Sequence, residues 1–455
     1  MVVPTITLAG PAPARYNQQP MKLLGIDVGS AAVKVAVLNN GKVQTPIARQ
    51  AFPTRFQGAR AEVPPAAIMT ALARAVAELG PPARSVDVIL LANMAPSWVA
   101  VDKRGKALTP IITHQDRRSV ALADELENIL GKSRLLRLSG NRPFPGGISS
   151  TTYAWFIRHE PALMKKADLV GHLNTYLHRQ ITGARVTDPS NASFMGLYST
   201  LTLSGWNPEL IDAAGGTHAV LPEVVESHRV AGRVTRAAAA DLRLTHGTPM
   251  IVGCMDGSAA MLLGGAKVGQ LMDVCGSTDV LALCTDRPRP HERLLTRALG
   301  IGRRWMSVST LAAAGSAFAW VKDQLFAELS IQQFWKLVRK LARCPLRNAV
   351  RFEPYLAGDR MSIQQRQGAF IGLTLSTTRL GMLSAVIESL AHAGAERLPL
   401  LRQGGVPILR TVMLSGGMHS GLDQVMRRDW PGRWRFQRED EATLRGLGTI
   451  LPCDR

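Results

Sequence analysis

The sequence predicts an α/β protein with more than one domain. Short apolar segments typical of strands alternate with longer segments of helical spacing. The chain has 455 residues, of which 46% are hydrophobic and 19% charged, so it can form sizeable cores and is too apolar to be disordered. No apolar run approaches the roughly 18 residues that span a membrane. We therefore expect no membrane partner.

The cysteines and the N-terminus indicate the cellular setting. Five scattered cysteines form no CxxC pair, which favours reduced thiols in a cytoplasmic protein over a disulfide framework or a zinc site. The opening "MVVPTITLAGPAPARYNQQP" lacks a basic start, and prolines interrupt its apolar part, so it is a poor signal peptide. We predict that residues 1–20 are a disordered extension, the alternative being a true start at Met21.

The first elements can be assigned in order. "LLGIDV" and "VKVAVL" are predicted strands joined by a tight turn. A helix is predicted from Pro65, because apolar residues recur at helical spacing until Gly80. Further strands follow in "VDVILLANM" and "SWVAVDKRGKALTPIIT", with a hairpin turn at Lys103–Lys106. Helical patterns dominate residues 119–182.

A change in amino-acid composition near Gly247 indicates a domain boundary. The segment "GTPMIVGCMDGSAAMLLGGA" is apolar and rich in glycine, so we predict domains at residues 21–247 and 248–455. A faint internal repeat supports two halves, because "IDVGSAAVKVAVL" at Ile26 resembles "DVCGSTDVLALC" at Asp273. The alternative is that two unrelated β-hairpins share this pattern.

The net charge of +20 has two interpretations. One is nucleic-acid binding, for which "MRRDWPGRWRFQRED" from Met426 is the best candidate, because arginine and tryptophan interleave there. However, the basic residues are otherwise spread along the chain, and no RRM, KH or zinc-knuckle pattern is present. We favour a generally basic surface that attracts anionic substrates, and we expect no nucleic-acid partner.

The Gly-Ser turns of the repeat indicate phosphate binding. Gly29-Ser30 and Gly276-Ser277 each join two apolar strands, and such turns leave backbone N–H groups free to bind phosphate oxygens. Two facing turns would hold a polyphosphate from both sides. Asp27 would hold its Mg²⁺, which prefers one or two carboxylates plus phosphates and water. The alternative is a pair of ordinary hairpin turns.

Two further strand ends carry candidate site residues. Asp256 follows the apolar "PMIVG" and precedes a predicted helix, which is where α/β folds build their sites. The alternative is a helix N-cap. Gly416 and Gly417 follow the strand "TVML" and would let a flat ring or a phosphate approach the backbone, unless they form a plain strand-to-helix turn.

Six segments in order resemble the motifs of the FGGY family of carbohydrate kinases, relatives of the actin and hexokinase fold. The resemblance runs from about residue 22 to residue 448. Its segments are "GIDVGSAAVKVAVL", "PIITHQDRRS", "LNTYLHRQITGARVTDPSNASFMGLY", "GCMDGSAAMLLGGAKVGQLMDVCGSTDVLAL", "FEPYLAGDRMSI…QGAFIGLTLSTTRLGMLSAVIESLAH" and "VMLSGGMHSGLDQVMRRDW".

The resemblance implies two actin-like (ribonuclease H-like) domains with a nucleotide cleft between them. It implies γ-phosphoryl transfer from ATP, with Mg²⁺, to a hydroxyl of a sugar such as a ketose or of a polyol. By position, Asp256 would be the catalytic base and Asp27 the metal ligand. The implied phosphate and adenosine residues are Gly29, Ser30, Gly276, Ser277, Thr278, Gly315, Gly416 and Gly417, and the implied sugar residues are Met94, Asp116, Arg118 and Asp256. Family members are often dimers, so a homodimer is also expected.

Several positions depart from the family pattern. Asp279 places an acid beside the second phosphate turn, where it would repel phosphates unless it turns away or helps bind metal. His114 replaces a tryptophan, Asp359 replaces a glutamate, and Met418 replaces the third glycine of the adenosine motif. These changes motivate an alternative, a non-catalytic sensor of nucleotide or sugar. Because both aspartates of the kinase pattern are present, we favour the active kinase.

Overall fold

The first of two large sheets has eight strands and is built around the strand Lys22–Val28. A computed structural model describes residues 21–346, 349–417, 425–426 and 428–450, so the predicted extension at residues 1–20 lies outside it. The central strand pairs antiparallel with Ala32–Asn39 and parallel with Val88–Asn93. The other strands are Lys42–Val43, Ala48–Ala51, Val230–Arg233, Pro249–Ile251 and Cys254–Met255.

The second large sheet has six strands and repeats this arrangement. Leu271–Cys275 pairs antiparallel with Asp279–Thr285 and parallel with Thr411–Ser415. The two hairpins of the internal repeat therefore occupy the same place in two sheets, which favours a true repeat over chance likeness. The remaining strands are Leu295–Ala298, Trp305–Leu311 and Arg435–Arg438.

Smaller sheets extend the two units. A five-stranded sheet contains Arg55–Gln57, Arg60–Val63, Ser97–Val101, Ile111–Thr113 and Leu169–Gly171. The predicted hairpin turn is present in it, since the backbone N–H of Asp102 donates to the carbonyl of Lys106 at 2.9 Å. Two-stranded sheets pair Val186–Thr187 with Glu223–Val224 and Arg351–Glu353 with Ala369–Ile371.

Helices cover both large sheets. The helix Pro65–Leu79 begins with proline, whose missing N–H costs nothing at the first helical position, and Gly80 with φ +65° follows its end. The other α-helices are Ala121–Leu130, Lys132–Ser139, Ser150–His159, Pro161–Met164, Leu173–Ile181, Pro189–Met195, Pro208–Ala213, Arg236–Leu242, Asp256–Leu263, Gly315–Leu325, Ile331–Arg343, Arg379–Gln403 and Ala442–Leu447; Pro81–Arg84 and His218–Val220 are 3₁₀ helices. None of the described helices is long and apolar enough to cross a bilayer.

The chain passes between the sheets later than the predicted boundary at residue 247. Pro249–Ile251 and Cys254–Met255 still pair with the first sheet, and the second sheet begins at Leu271. The helix Ala442–Leu447 then returns to the first unit. A side chain at Gly446 would lie 1.7 Å from the carbonyl oxygen of Ala259, so glycine is what allows this helix to pack against Asp256–Leu263.

Candidate active site

The first Gly-Ser turn carries a buried carboxylate with a free oxygen. The turn closes through the N–H of Gly29, which donates to the carbonyl of Ala32 at 3.1 Å. Asp27 precedes it, is 6% exposed, and its Oδ1 has no hydrogen-bond partner within the described part of the chain. Burial raises the pKa of Asp27 to about 7, Lys34 opposes this, and Asp256 adds to it. An unpartnered buried oxygen of this kind is suited to bind a cation.

The second Gly-Ser turn is fastened to the start of a helix. The N–H of Gly276 donates to the carbonyl of Thr278 at 2.8 Å. The N–H groups of Ala314 and Gly315 donate to the carbonyls of Ser277 and Gly276 at 2.9 and 3.0 Å. The structure thus brings the predicted residue Gly315, which begins the helix Gly315–Leu325, to the predicted phosphate turn.

The two Gly-Ser turns, one from each large sheet, are in direct contact. The Oγ atoms of Ser30 and Ser277 are 2.7 Å apart and form a hydrogen bond. A side chain added at Gly276 would meet nothing within 4 Å, and one added at Gly29 would meet only the carbonyl of Ala32 at 3.7 Å. Open space therefore lies in front of both glycine backbones, which phosphate oxygens can approach.

The glycines after the strand Thr411–Ser415 differ from each other. Gly416 has φ +95°, and a side chain there would lie 2.2 Å from the carbonyl oxygen of Cys275. The close approach of the two strand ends therefore requires this glycine, whatever binds nearby. Gly417 has open space around it. Met418, which the sequence singled out, lies outside the described residues.

Asp256 occupies the start of the helix Asp256–Leu263 but does not cap it. Its Oδ1 accepts from the N–H of the adjacent Gly257 at 2.7 Å, and the residue at the N-cap position is Met255. The N-cap interpretation is thus not supported. Burial raises the pKa of this half-buried carboxyl to about 6, while the N–H of Gly257, then Arg360 and Lys34, lower it.

These carboxylates fit Mg²⁺ that is held jointly by protein and nucleotide. Among the described residues, no group of three or more histidine, cysteine, aspartate or glutamate side chains could hold a metal by itself. Asp27 offers an unpartnered oxygen, and Asp256 is close enough to raise its pKa. One or two carboxylates completed by phosphates and water are the usual Mg²⁺ environment at nucleotide sites.

The predicted sugar residues have partners elsewhere in the first unit. Asp116 accepts from the N–H of Ala61 at 2.8 Å and from Arg118, which also pairs with Glu62. Arg118 lies over the ring of Trp155 at 5.3 Å. Met94 is buried in the core under the first sheet. These contacts favour the structural role that the sequence left open, and contact with sugar remains a prediction.

The acid beside the second turn pairs with a buried arginine. Asp279 is buried and forms an ion pair with the buried Arg397. The side chain of Asp273 also hydrogen-bonds Asp279, and burial together with the charge of Asp279 raises the pKa of Asp273 well above its ordinary value. Arg397 supplies the positive charge that compensates Asp279. This pairing largely removes the repulsion between Asp279 and phosphate that the sequence led us to expect.

Two basic residues near Asp256 were not identified from the sequence. Lys34 lies opposite Asp27 in the strand pairing and forms an ion pair with Glu441 at 2.6 Å. Its signal was a charge inside the apolar run "VKVAVL". Arg360 is buried and lowers the pKa of Asp256. It ends the segment Gly358-Asp359-Arg360, whose resemblance to a family motif was its only signal.

Paired hairpins in two sheets, with facing Gly-Ser turns and two nearby carboxylates, are the arrangement of a two-domain protein of the actin-like class. The chain matches the FGGY family of carbohydrate kinases, N-terminal domain, over residues 22–264 and its C-terminal domain over residues 271–422. It belongs to this family.

Individual relatives agree with this assignment. The chain is 25% identical to a gluconokinase of Bacillus subtilis (81% of this chain, 75% of the relative) and 26% identical to a glycerol kinase of Alkalilimnicola ehrlichii (95% and 87%). A solved ligand-bound xylulose kinase from Lactobacillus acidophilus superposes with a TM-score of 0.79 at 20% identity, covering 94% of this chain and 88% of that one. The structural likeness supports the fold.

Proposed function

We propose that this protein is an ATP-dependent carbohydrate kinase that transfers the γ-phosphoryl group of MgATP to a hydroxyl of a sugar, a polyol or a related compound. The observation that carries the proposal is the meeting of the two Gly-Ser turns at 2.7 Å between Ser30 and Ser277. Asp27 precedes the first of these turns, Asp256 is near enough to raise the pKa of Asp27, and the family and its kinase-named relatives agree with the proposal.

The turns would hold the phosphate chain of ATP between the two domains. Phosphate oxygens would approach the open faces of Gly29 and Gly276 and accept from the N–H groups of the following residues, Ser30 and Ser277, and the ammonium of Lys34 would add a positive charge on the first side. Asp27 would hold Mg²⁺, which when bound neutralises charge on the phosphates. Gly417, with open space at its backbone, stays our candidate for the adenosine side.

Asp256 would act on the acceptor hydroxyl. The hydroxyl oxygen bonds to the γ-phosphorus, the bond to the β–γ bridging oxygen breaks, and ADP leaves. The hydroxyl proton passes to the Asp256 carboxylate. Because the transition state of phosphoryl transfer is loose, the carboxylate mainly orients the hydroxyl and accepts its proton late. With a pKa of about 6, Asp256 is mostly ionised at neutral pH and ready for this role.

One argument for the alternative function, a non-catalytic sensor, is weakened. Asp279 was one of its sequence arguments, and that carboxylate forms an ion pair with Arg397 inside the second domain. The other expectations, a homodimer and a cytoplasmic location, rest on the family resemblance and on cysteine usage, and they stay predictions.

Acceptor-dependent release of ADP from MgATP tests the proposed function. Ketoses, aldoses, polyols and sugar acids are compared with wild type, Asp256→Asn and the control Asp241→Asn, an exposed aspartate on another helix. We expect at least one acceptor to stimulate turnover. Asp256→Asn should lower kcat by about 10²- to 10⁴-fold, because it removes the proton acceptor, and the control should not. Binding of ATP without stimulation by any acceptor would favour the sensor.

A further inference from the structure

A completely buried polar network surrounds the start of the helix Pro189–Met195. Its members are Asp188, Ser190, Asn191 and Asn93. Asp188 caps the helix, because its carboxylate oxygens accept from the backbone N–H groups of Ser190 at 2.7 Å and Asn191 at 3.4 Å. The segment resembles a family motif, and the proposed reaction has so far given it no role.

The side chains of the first helical turn also bind Asp188. The hydroxyl of Ser190 donates to one carboxylate oxygen, and Nδ2 of Asn191 donates to the other at 2.6 Å. A serine hydroxyl has a single hydrogen, so the oxygen of Ser190 is left to accept from another group. Asp188 therefore sets the orientation of both side chains.

The oxygen of Ser190 accepts from the strand that leads to Asp256. The backbone N–H of Met255 donates to Oγ of Ser190 at 3.0 Å. Met255 is the last residue of the strand Cys254–Met255, and Asp256 is the next residue in the chain. Asp188 is thus two hydrogen bonds away from the backbone that directly precedes the proposed proton acceptor.

Two asparagines connect the network to the neighbouring strand end. The side chains of Asn191 and Asn93 exchange hydrogen bonds at 3.0 and 3.2 Å. Asn93 is the last residue of its strand and pairs in register with Val28 on one side and Met255 on the other. Val28 and Met255 are the chain neighbours of the two proposed site carboxylates. The network therefore reaches both strand ends that carry them.

The network is tightly enclosed by the second unit. The N–H of Ser227 donates to the carbonyl of Gly300 at 3.0 Å, and the hydroxyl of Ser227 lies 3.4 Å from Oδ2 of Asp188. A side chain at Gly300 would lie 3.0 Å from the same oxygen, so only glycine allows this close approach. Because the network has no exposed surface, its effect on the reaction passes through the backbone that it holds rather than through contact with substrate.

We propose that Asp188 and Ser190 are positioning residues, which hold the backbone at Met255 so that the carboxylate of Asp256 faces the acceptor hydroxyl. The inference rests on the proposed kinase function. A displacement of about 1 Å between reacting groups can cost a large factor in rate, so a base at the end of a strand needs a rigid support. A network that only stabilises the fold is the competing interpretation.

A double-mutant cycle on kcat tests the inference. Ser190→Ala leaves the N–H of Met255 without its acceptor, and we expect kcat to fall by about 10- to 100-fold while KM for MgATP and for the acceptor changes little. Asp188→Asn can still cap the helix but cannot accept on both sides, so it should act in the same direction. In the Asp256→Asn background, Ser190→Ala should cause no further fall, because a positioning residue acts through the group that it positions.

Ser193→Ala is the matched control. Ser193 is completely buried on the same helix, and its hydroxyl donates to the carbonyl of Ser190 at 2.7 Å rather than to the strand that leads to Asp256. We expect this variant to keep the wild-type kcat. Calorimetric binding of MgATP checks that each variant folds, and Asp188→Asn serves if Ser190→Ala does not fold.

Three results would overturn the inference while the kinase function stands. One is a wild-type kcat in Ser190→Ala and Asp188→Asn. Another is a full further loss from Ser190→Ala in the Asp256→Asn background, which would show a role independent of Asp256. The third is an equal loss in Ser193→Ala, which would mean that the whole helix is required. No acceptor-stimulated release of ADP by wild type would overturn the kinase function, and the inference with it.

Discussion

The two Gly-Ser turns share a backbone plan and differ in charge. In each, an apolar strand runs into a glycine with open space and a serine, and a second strand returns. The first turn follows Asp27, whose Oδ1 has no hydrogen-bond partner in the part of the chain that the structure describes. The second turn has Val274 at that place and is followed by Asp279, which is neutralised by Arg397.

This difference teaches how one hairpin can serve two purposes in a single site. A carboxylate oxygen that must attract a cation has no hydrogen-bond partner among the described residues, and burial raises the pKa of its carboxyl. A carboxylate that would only repel phosphate is bound by a cation inside the domain. The first turn is thus suited to the metal side of a nucleotide and the second to the phosphates alone.

The largest expected effect comes from breaking the pair behind the second turn. Arg397→Leu leaves Asp279 buried and uncompensated, and we expect the free energy of unfolding to fall by about 3–5 kcal/mol. Urea denaturation at neutral pH measures it. The double variant Arg397→Leu with Asp279→Asn should recover most of the loss.

An exposed pair serves as the control for that prediction. Arg158→Leu removes the partner of Glu125 on the surface, and we expect little change in the free energy of unfolding, because solvent screens an exposed ion pair. If Arg397→Leu were no more destabilising than this control, the account of the second turn would be wrong.

A smaller effect is expected from Asp27→Asn at the first turn. The amide cannot hold Mg²⁺ as a carboxylate does, so we expect the Mg²⁺ concentration for half-maximal turnover to rise by about 10-fold or more. Because the amide carries no charge to bury, stability should not fall. An unchanged Mg²⁺ requirement would show that Asp27 is not a metal ligand.

The smallest effect is expected in the pH dependence of kcat/KM. Burial raises the pKa of Asp256 to about 6, so its carboxylate is lost as pH falls through about 6 rather than about 4. We expect kcat/KM to be about 10-fold lower at pH 5 than its plateau at neutral pH. A rate that stays level down to pH 4.5 would contradict the assignment of Asp256 as proton acceptor.

Local sequence patterns predicted the two turns. The features that they did not predict depend on residues far apart in the chain. Gly29-Ser30, Gly276-Ser277 and Asp256 stand at strand ends that the apolar pattern marks directly. The partner of Asp279 is Arg397, 118 residues later, and no local sequence pattern predicts this ion pair. Lys34 and Glu441 are 407 residues apart, because the last helix returns to the first unit.

The domain boundary and the sugar residues show the same limit. Residue 247 marks a real change of composition, but the sheet pairing of the strands Pro249–Ile251 and Cys254–Met255 is decided by the strand Val88–Asn93. Asp116 and Arg118 matched a motif by spacing, and only their contacts show that they pair with each other. The family resemblance assigned roles to residues by their position in a motif. It did not show which of these side chains face the proposed nucleotide site.

The central claim is that the two turns hold one nucleotide together, and calorimetric binding of MgATP tests it most directly. Gly29 and Gly276 lack positive φ and have room for a methyl group, so Gly29→Ala and Gly276→Ala should fold normally while crowding the phosphates. We expect each to weaken binding by about 10-fold or more, and Gly404→Ala, at the end of the helix Arg379–Gln403, to leave it unchanged. Wild-type affinity in either turn variant would contradict the claim.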